Sequence, residues 1–250
     1  MTWGQGLYLP SWIERKPDVL REYTKMHNDV LQWTIQQDFI DNDDIILKDE
    51  LSFTGIVSKE LNRICVKKNN NGGKNIDNLS IIKGGCELSV GGRDNVFKFE
   101  NKDLILIFQF TSFGRDEIIK YLTQSELDML FEYNIKNVEV AIKTLLNEKL
   151  RSYFTDIHNT IETLAEKNGF EFWYLDWFGD FCNFMPEKFI DIKLRNGTKK
   201  YFAPLIDTHP ITIEFEGKSM RDSHINSEGN KILSESILEW LRDKSRGVGG

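Results

Sequence analysis

Asp222 and His224 stand two residues apart in Arg221-Asp222-Ser223-His224-Ile225-Asn226-Ser227-Glu228-Gly229-Asn230, just ahead of a stretch that can open a helix. A carboxylate that accepts a hydrogen bond from one imidazole nitrogen fixes the tautomer and leaves the other nitrogen as a base toward a hydroxyl nucleophile. This is the best acid–base pair in the chain. The alternative reading is an aspartate and a histidine that only shape a turn. Asp207-Thr208-His209-Pro210 repeats the spacing, but Ile211 to Phe215 alternates as a strand and no capped amphipathic helix follows, so it ranks second. His27 and His158 fall in expected helices and read as surface or core-edge residues. No His-x-x-x-His or clustered carboxylate spacing points to a metal, and neither metal nor cofactor is expected. Ser11, Ser112 and Ser223 are loop serines, none on the sharp strand-to-helix turn that exposes a nucleophile.

The elements that would position these residues are legible from periodicity. Asp103 to Phe110 is apolar on both alternating faces, as a central strand covered by helices on both sides requires. From Val138 to Leu164, apolar residues keep helical spacing, and Asn168-Gly169 supplies the turn that ends the helix. Phe170 to Leu175 reads as another strand ending at Asp176. Its rings, with Trp177, Phe178 and Phe181, could line a sugar or acyl pocket, although core packing is the stronger reading. Arg63 to Val66 reads as a short buried strand before the turn-rich run Asn69 to Asn75, and Asn78 to Ile82 as a short helix. Cys86 to Val90 and Val96 to Phe99 suggest a hairpin within residues 84–100. Gly91-Gly92 precedes no helix, which argues against a phosphate loop. Asn226 can cap a final helix buried through Ile232, Leu233, Ile237, Leu238 and Leu241, with Lys244 to Gly250 as a flexible tail. Strands alternating with helices argue for an α/β layered domain, with ligands beyond the carboxyl ends of the strands.

Composition bounds the partners. The 250 residues suit one large domain or two small ones, and 40% apolar residues with 17 Phe, 7 Tyr and 6 Trp exclude a disordered chain. A net charge of −7 opposes phosphate backbones and anionic lipid, so neither nucleic acid nor membrane is an expected partner. The longest aliphatic run, Leu104 to Phe108, is far too short to span a bilayer. Three cysteines without Cys-x-x-Cys spacing fit a reducing compartment, and the first residues lack a secretion signal, so a cytoplasmic protein is expected.

The segment from Asp222 to Gly229 resembles the last sequence block of the SGNH/GDSL hydrolases, where Asp and His precede a helix beginning Asn-x-x-Gly. Thr2-Trp3-Gly4-Gln5-Gly6-Leu7 resembles the stretch that follows the catalytic serine there. Asn71-Gly72-Gly73-Lys74-Asn75 resembles the second block, and Asp103 to Phe110 with Thr111-Ser112-Phe113-Gly114-Arg115 stands in the place of the third.

The resemblance implies an α/β three-layer sandwich with a mainly parallel sheet, flavodoxin-like, as a single domain over residues 1–243 with the hairpin as an insertion. It implies Ser-His-Asp hydrolysis of a small-molecule or glycan acyl ester, with His224 as base, Asp222 orienting it, and Gly72, Gly73 and Asn75 at the oxyanion loop. Thr111, Ser112 or Arg115 would donate in place of the usual third-block Asn. The sequence starts where the residue after the serine should stand, so an N-terminally shortened chain, or a start codon placed too late, is expected to lack the nucleophile and first strand. The competing expectation is a noncatalytic glycan- or protein-binding protein of the same fold. The oligomeric state stays open.

Overall fold

A computed structural model describes residues 24–27, 30–33, 52–63, 74–83, 87–90, 93–96, 104–112, 123–125, 147–215 and 218–247. The chain divides into two compact units, one of residues 1–67 with 191–250, the other of residues 68–190. Both mix helices and strands. Among the described residues there are one parallel and four antiparallel strand pairs.

In the unit of residues 68–190, strand β5 (Ile105–Phe110) pairs in parallel with β6 (Glu171–Asp176), from Ile105↔Glu171 to Phe110↔Asp176. A parallel pair needs a long crossover. Helix α3 (Asn147–Asn168) lies on that crossover, and its Leu150, Phe154, Ile157, Ile161 and Ala165, spaced by three or four, are all buried. It stops at Gly169, whose φ of +72° suits a residue without Cβ, and Gly169 N and Phe170 N both donate to Ala165 O, at 2.7 and 3.2 Å. Helix α2 (Asn75–Lys83) begins three residues earlier than the expected Asn78. The hairpin joins β3 (Glu87–Val90) to β4 (Arg93–Val96) with Val90 opposite Arg93. Its second strand therefore ends at Val96, where the expected alternating run Val96 to Phe99 begins.

The core of this unit is aromatic. The Phe110 ring lies 4.7 Å from Phe181 and 5.2 Å from Tyr174, which lies 5.1 Å from Phe189. An isolated parallel bridge joins Tyr174 to Phe189, so β6 has a neighbour on each side while β5, among the described residues, pairs with β6 alone. Phe170, Phe172, Tyr174, Trp177 and Phe181 are buried, as the core reading expects, while Phe178 is exposed.

In the other unit, β1 (Thr24–His27) pairs with β2 (Val30–Trp33), which places His27 in a strand rather than a helix. Helix α1 (Phe53–Glu60) is capped by Ser52, whose Oγ accepts from Gly55 N at 3.2 Å. Strands β7 (Ile192–Leu194) and β8 (Gly197–Lys199) form a hairpin, followed by helix α4 (Ala203–Thr208). Strand β9 (Pro210–Phe215) then pairs with β10 (Lys218–Ile225), which runs into α5 (Ser227–Gly247). Leu233, Ile237, Leu238 and Leu241 are buried as their spacing demands, and the helix continues to Gly247, four residues into the stretch expected as a tail. Of residues 63–66, expected as a strand, only Arg63 is described, and it has no regular structure.

Candidate functional site

Asp222 and His224 lie on β10, not in a loop. The ladder pairs Arg221 with Thr212 and Ile225 with Pro210, so residues 222–224 face the single residue Ile211 across an irregularity in register. A bulge of this kind breaks strict alternation and re-aims side chains, and such bulges concentrate near active sites. Regular pairing resumes at Ile225, with Asn226 N donating to His209 O at 2.9 Å.

The strand end is held from both sides by amide side chains. Asn226 Oδ1 accepts from Gly229 N at 2.9 Å, the N-cap expected from the sequence. Asn230, 3% exposed, is the junction. Its Nδ2 donates to Ile225 O at 3.3 Å and Asn226 O at 3.0 Å, while its Oδ1 accepts from Phe53 N at 3.0 Å. Ser234 Oγ donates to Asn230 O at 2.6 Å. One buried amide thus joins the end of β10, the first turn of α5 and the start of α1, fixing the backbone that follows His224. Gly229 has no room for a side chain, because a Cβ there would lie 2.9 Å from Ile225 Cβ and 3.2 Å from His209 Cβ.

His209 follows helix α4 at this same place. Thr208 Oγ1 stands 3.0 Å from Pro204 O and 2.8 Å from His209 Nδ1. A hydroxyl has one hydrogen, so it donates to one of these two and the direction of the contact with Nδ1 follows the tautomer of the ring.

At the carboxyl edge of the parallel pair, in the other unit, two of the expected substrate-binding residues meet. Thr111 N donates to Asn75 Oδ1 at 2.8 Å and Asn75 Nδ2 donates to Thr111 O at 3.3 Å, with Thr111 Oγ1 3.4 Å from Asn75 Oδ1. Both residues are buried, at 0% and 2% exposure, so the amide ties the start of α2 to the end of β5. Next to Thr111 in the register, opposite Phe110, is Asp176. Its Oδ1 accepts from Gly179 N at 3.0 Å, and its Oδ2 from Phe181 N at 2.8 Å and Cys182 N at 2.9 Å. Burial raises its pKa to about 6 against the three hydrogen bonds, which lower it, and the Asp180 charge adds to the rise. The sequence marks Asp176 only as the end of a strand; an acid closing a buried run, three residues before a glycine, was the available signal.

His158, expected at the surface or core edge, is buried on α3, and its Nδ1 lies 2.9 Å from Tyr174 Oη. Burial lowers the His158 pKa, Lys188 adds to that, and Glu162 and Glu187 oppose it. Burial, aided by the Glu162 charge, keeps the Tyr174 phenol protonated. Phenol and ring are therefore hydrogen-bonded as neutral groups, with the direction following the tautomer of the ring.

Thr2, Gly72, Gly73 and Arg115 lie outside the described residues, as do the side chains of Asp222 and His224. Asn75 and Thr111 belong to one unit, and Asp222 and His224 to the other. A cleft of about 330 Å³ between α2 and α3 is lined by Ile76, Leu79, Lys83, Lys149, Asp156 and Ile157 among others, and by none of the expected site residues. Among the described residues, no three His, Cys, Asp or Glu side chains are grouped to hold a metal, and no helix is long and apolar enough to cross a membrane. No protein-family model, curated protein or solved structure matches the chain.

Proposed function

We propose that this chain is an ester hydrolase of the SGNH/GDSL type, with His224 and Asp222 as its acid–base pair, on a three-layer α/β sandwich with a mainly parallel sheet. The observation that carries the reading is the bulge at residues 222–224 running directly into a helix capped by Asn226. A bulged strand end held by Asn226 and Asn230 is a rigid base from which a general base can be aimed. The parallel pair β5–β6, with Asn75 and Thr111 at its carboxyl edge, supports the same reading, because open parallel sheets bind ligands at that edge.

In this mechanism the nucleophilic serine of the hydrolase type attacks the acyl carbonyl, and its proton passes to His224. His224 then protonates the leaving alcohol, and a water activated by the same imidazole releases the acid and restores the serine. Asp222 holds the ring and stabilises the imidazolium. Backbone N–H groups at Gly72 and Gly73, with Thr111 or Arg115, stabilise the oxyanion. Asn75 positions Thr111. The substrate class is a small-molecule or glycan acyl ester in the cytosol, without a nucleic-acid or membrane partner.

The test is to treat the full-length protein with a fluorophosphonate probe. Labelling of a serine that His224→Ala abolishes is the expected result. Absence of labelling, or labelling indifferent to His224, would overturn hydrolysis in favour of a noncatalytic binding protein.

A further inference from the structure

Two helices of the unit of residues 68–190 set out from the carboxyl edge of its parallel pair. Helix α2 begins at Asn75, whose side chain binds Thr111 just beyond β5. On α3, the Phe154 ring lies 5.6 Å from Phe110 and 6.5 Å from Phe181 at that edge, and the helix ends at Asn168, ahead of the amino end of β6. In the cleft between the helices, Ile76 and Lys149 therefore stand toward the carboxyl edge, and Lys83 and Thr160 toward the other end. The helical rise from Ile76 to Lys83 is about 10 Å.

The cleft of about 330 Å³ is at the small end of the range that accepts a small molecule. Its character changes along its length. The lysines stand at the two ends, while buried Leu79 and Ile157 form an apolar wall between them. Ile76 is 41% exposed, one of two large apolar side chains so open among the described residues. An apolar side chain at the rim of a cleft is surface that a ligand can bury. Lys83 and Lys149 against Asp156 give the lining a formal charge of +1, in a chain whose net charge is −7.

We propose that the α2–α3 cleft binds a medium-chain alkyl carboxylate, its tail against Ile76, Leu79 and Ile157 and its carboxylate met by a lysine ammonium. A groove that follows two helices fits an extended chain, and a positive lining selects an anion over a neutral alcohol. This goes beyond the hydrolase reading and stands on the cleft alone, because none of the residues assigned to hydrolysis lines it.

The test is calorimetric titration of the full chain with sodium octanoate and sodium decanoate below their micellar concentrations, with octan-1-ol as the neutral control and circular dichroism of each variant. Saturable binding of both acids is expected. Each methylene that enters the cleft should tighten binding about fourfold, so decanoate should bind more tightly than octanoate. Octanol, without the charge, should bind about tenfold more weakly than octanoate. Replacing both lysines, Lys83→Gln with Lys149→Gln, should weaken both acids about tenfold, and the single variant that carries the loss marks the end that holds the carboxylate. Ile76→Asn, at an exposed position that folding does not depend on, should also weaken both acids. No saturable binding, equal affinity for octanoate and octanol, or acid binding indifferent to the paired lysine substitutions or to Ile76→Asn overturns the proposal. The titration needs no nucleophile, so its failure leaves the hydrolase reading standing, and failure of serine labelling leaves the carboxylate site standing.

Discussion

The side-chain amide of Asn75 and the backbone of Thr111 hydrogen-bond in both directions, N–H to Oδ1 at 2.8 Å and Nδ2 to carbonyl at 3.3 Å, across 36 residues of sequence. A backbone pair satisfied by one buried amide is a joint, and the joint here sits where β5 ends and α2 begins.

Removing that amide strands a buried N–H and C=O. Asn75→Ala should lower stability by about 2 to 4 kcal/mol. Thr111→Val keeps the backbone bonds and loses only the 3.4 Å hydroxyl contact, so its cost should stay below about 1.5 kcal/mol. Urea unfolding of both variants checks the ranking; equal costs would mean that the hydroxyl, not the backbone, is what Asn75 holds.

Asp176 should give a pH signature. Its folded pKa of about 6 lies above the ordinary 3.8, so the native state holds a proton through the window between them while the unfolded state has released it. Its contribution to stability therefore rises as pH falls from about 6 toward 4, and its burial penalty is full above 6. Asp176→Asn is silent to this titration. The substitution should cost about 2 to 3 kcal/mol more at pH 4 than at pH 7. A difference that does not change with pH would show that the three N–H donors hold the carboxylate ionised throughout.

His158 acts in the opposite sense. Its folded pKa is depressed below 6.5 by burial, so the unfolded state takes up a proton first as pH falls through 6.5, and stability contributed by the neutral ring is lost there. His158→Gln should remove this acid-side loss between pH 6.5 and 5. Tyr174→Phe leaves Nδ1 without its partner and should cost about 1 to 3 kcal/mol at pH 7. Parallel denaturation curves of wild type and His158→Gln across that range would rule the assignment out.

Gly229→Ala sets two effects against each other. Helix propensity favours alanine by about 1 kcal/mol, but the new Cβ would meet Ile225 Cβ at 2.9 Å and His209 Cβ at 3.2 Å. Both neighbours are main-chain-anchored atoms, and such overpacking costs about 1 to 3 kcal/mol. The clash should win, giving a lower midpoint in thermal unfolding; a higher one would mean that the first turn of α5 can shift away from β10.

Much of the architecture follows from local pattern. The spacing of Leu150, Phe154, Ile157 and Ile161 marks α3, Asn226 and the stripe from Leu233 to Leu241 mark α5, and the apolar runs at residues 103–110 and 170–175 mark β5 and β6. Helical and strand periods depend on neighbours within a few residues, so one sequence window contains them. Of the candidate site, the Asp-x-His pairs and the cap were visible in the same way.

What only the tertiary structure decided involves partners far apart in sequence. No local window shows that Asn75 closes on Thr111, that Asn230 reaches Phe53, or that residues 222–224 face Ile211 alone. Nor does it show that Asp176 is enclosed while three N–H groups aim at it. Register, burial and the pKa values they produce are properties of the folded surroundings, because desolvation and long-range pairing act only once the chain has closed around the residue.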